Sequence, residues 1–381
     1  MKTNHARPKR ISRRDFLKLA AAGATGMVSA CAPKPADEGA STRVAPTIAP
    51  VPTATSPARV AIAQAGSYDR GLVRQQVQAM LDGLGGLGDV VRPGARVAIK
   101  INLTGGSGQA PIGGLPHVES YFTHPELVRA LGELLRDAGA GEISIVEAVY
   151  GKVFQESGFE AIAKTIDARL VDLNRTAPYR DFATAPVGDN WLIYPDFIFN
   201  HILQEIDVFI SVSKMKCHWW CGVTHSMKNL VGLVPQAKYQ ARPEDSYRTA
   251  LHGPEDQTPA RLPRVIVDLN RARPIHLALI DGIKTVEAGE GPWIVGVAPV
   301  SPGVLLASKS ALAADVVATA VMGFDPEAAP LTSPFLRGHN HLSLAGEAGL
   351  GPHRLADIHI VGASVDDVRC PFRPCDGRNL A

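Results

Sequence analysis

The densest group of chemically reactive side chains lies just past the middle of the 381-residue chain. Lys214, Lys216 and His218 alternate with other residues, and Lys228 and Asn229 follow further along. Amines held together attract carboxylate or phosphate groups, and an amide orients them by hydrogen bonds. A lysine removed from water beside other lysines has a lowered pKa, so that it can act as a base or an imine-forming nucleophile. This segment predicts a site for a small anionic ligand.

Polar side chains also follow other apolar runs that have the length of buried strands. Because the carboxyl ends of parallel strands meet at one edge of a sheet, we expect these side chains to converge there. They are Lys100, Asn102, Glu147, Lys214, Lys216, His218, Asp281, Ser308 and Lys309. The pattern predicts a ligand site at this edge of the sheet.

The chemistry of each residue gives it a predicted role. Residues that would move protons are predicted to be catalytic, namely Lys216, His218, Glu147 and Asp281. Residues that carry positive charge or donate hydrogen bonds are predicted to bind the ligand, namely Lys100, Asn102, Lys214, Thr224, Lys228 and Asn229. In the alternative interpretation, Glu147, Asp281 and Glu287 neutralise the lysines in a structural network.

The cysteines beyond residue 31 leave three interpretations open. Cys217, Cys221, Cys370 and Cys375 fit disulfides, free thiols or a metal site. The metal interpretation uses Cys217, His218, Cys221 and His225, whose short spacings loosely fit zinc or iron. The cofactor is therefore unassigned, with a metal ion or an iron–sulfur cluster as the options.

The apolar pattern predicts the sheet that would bring these side chains together. Apolar runs of strand length alternate with amphipathic helical segments, which indicates a mostly parallel sheet with helices on both faces. Predicted strands cover residues 59–63, 96–102, 142–149, 170–173, 207–213, 275–283, 304–308 and 357–361. The predicted fold class is α/β, as one body or as two α/β lobes.

The beginning of the chain has the pattern of an export signal. Arg13 and Arg14 follow a basic leader and precede a weakly apolar stretch, as in twin-arginine signals. The sequence Val-Ser-Ala-Cys then forms a lipobox with Cys31 as the lipidated residue. We predict a signal peptide over residues 1–31, a Pro/Ala/Thr-rich tether over 32–58 and an α/β domain over 59–381.

The distribution of charge argues against a nucleic-acid partner. Residues 1–31 contain seven Lys/Arg and one acid, which leaves 32 basic and 36 acidic residues in the rest of the chain. The domain that folds is therefore mildly acidic, without the broad basic surface that DNA or RNA binding requires.

Several of these motifs together resemble the domain-of-unknown-function family 362. They are Lys214-x-Lys216-x-His218, Gly222-x-Thr224-x-x-x-Lys228-Asn229-x-x-Gly232, Lys100-Ile101-Asn102, His124-Pro125, Asp281-Gly282, the segment 287–292 and Asp315. The resemblance covers about residues 95–365, and it implies no assigned activity. Some relatives resemble iron–sulfur proteins through an added ferredoxin-like segment, whereas this chain has no Cys-x2-Cys-x2-Cys-x3-Cys run.

These observations favour an exported, membrane-tethered enzyme that acts on a small anionic ligand. Its predicted partners are the twin-arginine translocase during export and a membrane bound through Cys31, and its predicted location is the cell envelope. One alternative is a metal- or iron–sulfur-binding redox protein centred on residues 217–225. Another is a non-catalytic, solute-binding lipoprotein.

Overall fold

The computed structural model describes residues 57–106 and 108–377. The predicted signal peptide, Cys31 and most of the predicted tether lie outside these residues. The strands of the described part are β1 Arg59–Gln64, β2 Arg96–Lys100, β3 Glu142–Glu147, β4 Ala168–Asp172, β5 Phe182–Pro186, β6 Asp196–Asn200, β7 Val208–His218, β8 Gly222–Thr224, β9 Leu277–Glu287, β10 Ala298–Val300, β11 Val304–Ser308 and β12 His359–Gly362.

Helices pack against both faces of the main sheet and enclose two apolar cores. They are α1 Arg70–Gly83, α2 Pro125–Asp137, α3 Val153–Glu156, α4 Phe159–Thr165, α5 Ile202–Glu205, α6 Thr249–His252, α7 Thr258–Ala272, α8 Ala311–Val321, α9 His341–Glu347 and α10 Val365–Val368. Helices α1 and α2 contribute to one core, whereas α7 and α8 contribute to the other. Within the described ranges, every helix is too short or too polar to cross a lipid bilayer.

Helix α2 shows how local sequence determines these elements. It begins at the predicted His124-Pro125 pair, where His124 Nδ1 accepts a hydrogen bond from Glu126 N at 3.1 Å. Proline fits the first helical position because its fixed φ suits the helix and its missing N–H has no partner there. Leu127, Leu131 and Leu134 recur at helical spacing and are buried, so this face lies against the sheet.

The main sheet has the order β12-β1-β11-β9-β7-β2-β3-β4, and β8 and β10 pair with the ends of β7 and β9. Along that order only β11 runs opposite to its neighbours. The fold is thus α/β with a mostly parallel sheet covered by helices on both faces, as predicted. Because these strands form one continuous sheet, the described residues make one body instead of two α/β lobes.

The two central strands are longer than their apolar runs predict. Strand β7 continues past residue 213 to His218, and all of its residues are buried. Its Lys214 pairs in register with Asp281 of the equally long β9. The polar residues predicted to follow these strands therefore lie within them, and alternate residues of β7 face the same side of the sheet.

The direction of β11 corrects one part of the predicted edge. Because β11 is antiparallel to β9, its last residue, Ser308, pairs with Ala278 near the beginning of β9. Lys309 contacts Asp89 on the same side of the molecule, with Nζ 2.5 Å from Oδ1. Ser308 and Lys309 are therefore at the opposite edge of the sheet from the other predicted site residues.

Helix α8 fixes the segment that carries Lys228. Asp315 of α8 is fully buried and accepts hydrogen bonds from Ser226 N at 2.8 Å and Met227 N at 2.9 Å. Burial raises the pKa of Asp315 to about 7. These contacts explain why an acid is present in a helix whose other residues are small and apolar.

We expect Asp315→Ala to destabilise the protein, because two buried N–H groups lose their acceptor at a cost of about 1–3 kcal/mol each. The wild type loses stability as pH rises from about 3.8 to about 7, because the raised pKa makes the ionised folded form unfavourable. The destabilisation by Asp315→Ala should therefore be larger at the acidic end of that range. Urea unfolding across the range measures it, with the exposed Asp357→Ala as control. A loss of stability that grows with pH would contradict the assignment.

Candidate functional site

The first buried ion pair joins the ends of β2 and β3. Lys100 Nζ lies 3.0 Å from Glu147 Oε1 and donates to Asn229 Oδ1 at 3.0 Å. Glu147 also accepts from the backbone N–H groups of Leu103 and Ala148, each at 3.0 Å. The hydrogen-bonding groups of this pair therefore have protein partners, as a buried ion pair requires.

Two amides and one glycine complete this first network. Asn102 Nδ2 donates to Asn229 Oδ1 at 3.2 Å, and Asn229 Nδ2 donates to Ser211 Oγ at 3.1 Å. Gly232 packs directly on the ion pair, because a Cβ there would lie 2.7 Å from Lys100 Nζ. The predicted ligand-binding residues Lys100, Asn102 and Asn229 thus bind one another.

The second buried ion pair joins β7 and β9. Lys214 Nζ lies 3.0 Å from Asp281 Oδ2 and donates to Tyr68 Oη at 2.9 Å. Tyr68 in turn donates to Asp281 Oδ1 at 2.7 Å, and its ring stacks on that of His124 at 3.6 Å. His124 N also donates to Asp281 Oδ2 at 3.0 Å.

For part of the predicted site, these two ion pairs agree with the alternative interpretation, in which carboxylates neutralise the lysines in a structural network. Glu147 and Asp281 each neutralise a lysine, so neither is placed as a free proton acceptor. Glu287 instead pairs with Arg373, with Oε1 2.5 Å from Nε. The predicted catalytic set is therefore divided, since only Lys216 and His218 lie outside these pairs.

Lys216 is buried without a carboxylate partner among the described residues. Its side chain is fully enclosed, and Nζ donates to the Tyr121 carbonyl oxygen at 2.8 Å. Burial lowers the pKa of Lys216 well below 10.5; the charge of Glu290 opposes this shift, whereas those of Lys228 and Lys214 add to it. Thr224 lies opposite Lys216 across the β7–β8 pair, and its buried Oγ1 has no hydrogen-bond partner in the described part of the chain.

Lys228 and Arg248 join Lys216 in what we call the cation cluster. Lys228 is partly exposed and has no hydrogen-bond acceptor within the described residues. Burial and the charge of Arg248 lower the pKa of Lys228, although Cys221 and Glu290 oppose the shift. Arg248 is buried and donates only to neutral groups, including Val234 O at 2.7 Å and Tyr150 Oη at 3.2 Å.

His218 is oriented as a hydrogen-bond donor. Its Nδ1 accepts from Trp220 N at 3.1 Å and Cys221 N at 3.3 Å, so the neutral ring carries its proton on Nε2. That nitrogen lies 4.0 Å from Glu290 Oε1. Burial lowers the pKa of His218 well below 6.5, and the charge of Lys228 lowers it further. The Nε2–H group of His218 can therefore donate a hydrogen bond to a ligand.

Glu290 is the carboxylate of the cation cluster. It is buried, and its Oε2 accepts from Trp219 N at 2.9 Å. Its Oε1 accepts from Trp293 Nε1 at 3.3 Å. The sequence analysis included Glu290 only within the segment 287–292 and missed Arg248, because single charged residues in loops carry no periodic signal.

A cavity of about 570 Å³ lies beside this cluster. Its lining includes Gly105, Gly106, His117, Tyr150 and Lys152. Tyr150 accepts the hydrogen bond from Arg248, and the Trp293 ring packs so closely on Gly105 that a Cβ there would collide with it. One lining residue, Tyr150, thus contacts the cation cluster, and another, Gly105, is linked to Glu290 through the Trp293 ring.

The structure does not bring the four predicted metal ligands together. Across the described ranges, no group of three or more His, Cys, Asp or Glu side chains is arranged to hold a metal ion. Cys217 and His218 are consecutive residues of β7, so their side chains point to opposite faces of the sheet. Cys217 and Cys221 belong to the apolar core, and His225 is fully buried with both ring nitrogens unpartnered.

The four cysteines within the described residues are free thiols. Burial raises the pKa of Cys221 to about 12 and raises that of Cys217 as well. Thiols with raised pKa values are poor nucleophiles and poor metal ligands. Of the three interpretations left open by the sequence, the free-thiol state is the one that the structure contains.

Residues 97–320 match the family described as "Domain of unknown function (DUF362)". This chain belongs to that family. A thylakoid-associated protein of Synechocystis sp. is 26% identical over 279 residues, covering 71% of this chain and 76% of the relative.

Two solved structures show weaker likeness. One is the lactate racemase apoprotein of Thermoanaerobacterium thermosaccharolyticum, with 14% identity and a TM-score of 0.34 over 64% of this chain. The other is a Thermotoga maritima protein, with 10% identity and a TM-score of 0.35 over 79% of this chain. The matched region spans only 54% of the racemase chain and 62% of the Thermotoga chain.

The two kinds of buried lysine should respond oppositely to substitution. Lys100→Met should destabilise the protein by about 3–5 kcal/mol, because it leaves Glu147 buried without its partner. Lys216→Met should leave stability unchanged or increase it, because it removes a buried amine that has no carboxylate. That gain should shrink as pH rises towards 10.5, where the unfolded amine also loses its proton. Urea unfolding measures both, and an equal loss in both variants would contradict the distinction.

Proposed function

We propose that this protein is an enzyme that binds a small anionic organic acid at the carboxyl ends of the central strands. One observation carries the proposal: within the described residues, buried Lys216 and Arg248 donate only to neutral oxygens, and the amine of nearby Lys228 has no acceptor. Buried charges are costly without partners, so an excess of buried cations favours a ligand that supplies negative charge. The adjoining cavity is large enough for a small organic acid.

Each group of the site has a role in this proposal. Lys216 and Arg248 bind the carboxylate of the ligand, and the unpartnered Thr224 hydroxyl supplies a further hydrogen bond. His218 Nε2–H donates to an oxygen that becomes negative during reaction. Lys100, Asn102, Asn229, Lys214, Glu147 and Asp281 act indirectly, because their ion pairs and hydrogen bonds hold the strand ends in place.

Anion binding should depend on the cation cluster. Acetate, pyruvate, oxalate and inorganic phosphate are suitable probes, and at least one should raise the thermal unfolding midpoint. Lys216→Met and Arg248→Lys should each lower the affinity for that anion by about tenfold or more, because each variant loses a charge-assisted contact in a desolvated site. Lys164→Met, which alters an exposed lysine of α4, should bind as the wild type does. Unchanged affinity in both cluster variants would refute the proposed site.

The same anion should be bound with uptake of protons. A carboxylate beside Lys216 raises the lowered pKa of this lysine, so its amine takes a proton from the buffer. Calorimetry in buffers of different ionisation enthalpy measures this uptake.

Tight retention of the anion without turnover would favour the solute-binding alternative over an enzyme.

We further propose that the protein is exported by the twin-arginine translocase and anchored to a membrane through a lipid on Cys31. The order of Arg13, Arg14 and the lipobox supports this, and the relative from Synechocystis is described as thylakoid-associated. The cell envelope is then the working location of the site.

Substitution of Arg13 and Arg14 by lysine should leave the precursor in the cytoplasm, because the translocase recognises the arginine pair. Cys31→Ala should instead be exported without its lipid and should appear in the soluble fraction. Cell fractionation and mass spectrometry of the mature N-terminus distinguish these results. Arg10→Lys serves as the matched control, since it keeps both arginines of the pair.

A further inference from the structure

We infer that Lys228 is the reactive amine of this site and that it forms an imine with a small carbonyl compound that also carries a carboxylate. The inference rests on the proposed anion site and names the substrate class and the nucleophile. An oxo acid matches both features of the cluster, because its carboxylate suits Lys216 and Arg248 while its carbonyl carbon suits a neutral amine.

Accessibility separates Lys228 from the other lysines of the strand ends. Lys100, Lys214 and Lys216 are fully enclosed, and each donates at least one hydrogen bond to a protein oxygen. Lys228 is partly exposed and, within the described residues, its amine has no acceptor. A ligand can therefore reach Lys228 without breaking an existing contact of its amine.

The backbone on both sides of Lys228 is fixed in place. Asp315 accepts from the N–H groups of Ser226 and Met227 just before it. Directly after it, Asn229 Nδ2 donates to Lys100 O at 3.3 Å and to Ser211 Oγ at 3.1 Å. A nucleophile on a rigid segment needs little reorganisation when a substrate binds.

The surroundings of Lys228 favour the neutral amine. Its charge affects the pKa values of Lys100, Lys216, His218, His252 and His341, so it lies at the centre of the basic groups. Burial lowers the pKa of Lys228 more than Cys221 and Glu290 raise it, and Arg248 adds to the lowering. Each unit of such lowering raises the fraction of neutral amine about tenfold at a pH below the pKa.

The proposed step is a condensation that releases water. The Lys228 nitrogen lone pair attacks the carbonyl carbon, the carbonyl π pair moves to oxygen, and a proton passes from nitrogen to that oxygen. The nitrogen lone pair then forms the C=N bond as the C–O bond breaks, and the remaining N–H proton passes through the Glu290 carboxylate to the departing hydroxyl, which leaves as water. His218 Nε2–H can donate to the oxygen while it bears negative charge.

The test uses the full-length wild-type protein with glyoxylate and sodium cyanoborohydride, which reduces an imine to a stable secondary amine. Peptide mass mapping compares Lys228 with the exposed Lys164. We expect Lys228 to be modified about tenfold faster or more, because its amine has no acceptor to release within the described residues and its pKa is lowered. Acetate should slow the modification of Lys228 but not that of Lys164, because it occupies the anion site.

Formaldehyde is the matched probe without a carboxylate, and it should show a much smaller preference for Lys228. An equal preference would overturn the inferred oxo-acid substrate. Modification of Lys228 no faster than that of Lys164, or preferential modification of Lys216, would overturn the inferred nucleophile. If an anion still stabilises the protein and the Lys216→Met variant loses that effect, the proposed function survives those results. If no anion stabilises the protein in this way, the proposed function and the inference about Lys228 both fail.

Discussion

The arrangement of the sheet edge depends on one constraint, which is that a charge removed from water needs a partner. The ends of β2 and β7 place lysine amines inside the protein, where they cannot be solvated. Parallel pairing supplies carboxylates close by, because Lys214 is in register with Asp281 of β9, and Lys100, in register with Val146, reaches Glu147 one residue further along β3. Register therefore determines which lysines are neutralised.

The cation cluster departs from this constraint, because its basic side chains outnumber its carboxylates. Strand β7 ends two residues beyond Lys216 and pairs there with the short β8, which offers Thr224 and no carboxylate. Lys228 enters the same region from the beginning of a short 3-10 helix and Arg248 from a loop, and Glu290 is the acid among them. A protein tolerates such an imbalance where binding or chemistry makes use of it, because a ligand can then complete the set of charges.

Comparison of the two central strands shows where local sequence is informative. Uninterrupted apolar residues predicted the first part of β7 correctly, but Lys214, Lys216 and His218 were expected beyond its end. Polarity is a local property of a residue, whereas strand length depends on the neighbours that pair with it. The direction of β11 was missed for the same reason, since an apolar run has no intrinsic orientation.

The sequence by itself determined the α/β class, the leader pattern and several of the polar residues near the carboxyl edge, because periodicity and composition encode these directly, but it wrongly included Ser308 and Lys309. Only the tertiary structure decided how charges pair. It joined Lys100 to Glu147 across separate strands, left Lys216 unpaired, and brought Arg248 and Glu290 from loops distant in sequence. Electrostatic partners are set by distance in space, which depends on the packing of the whole chain.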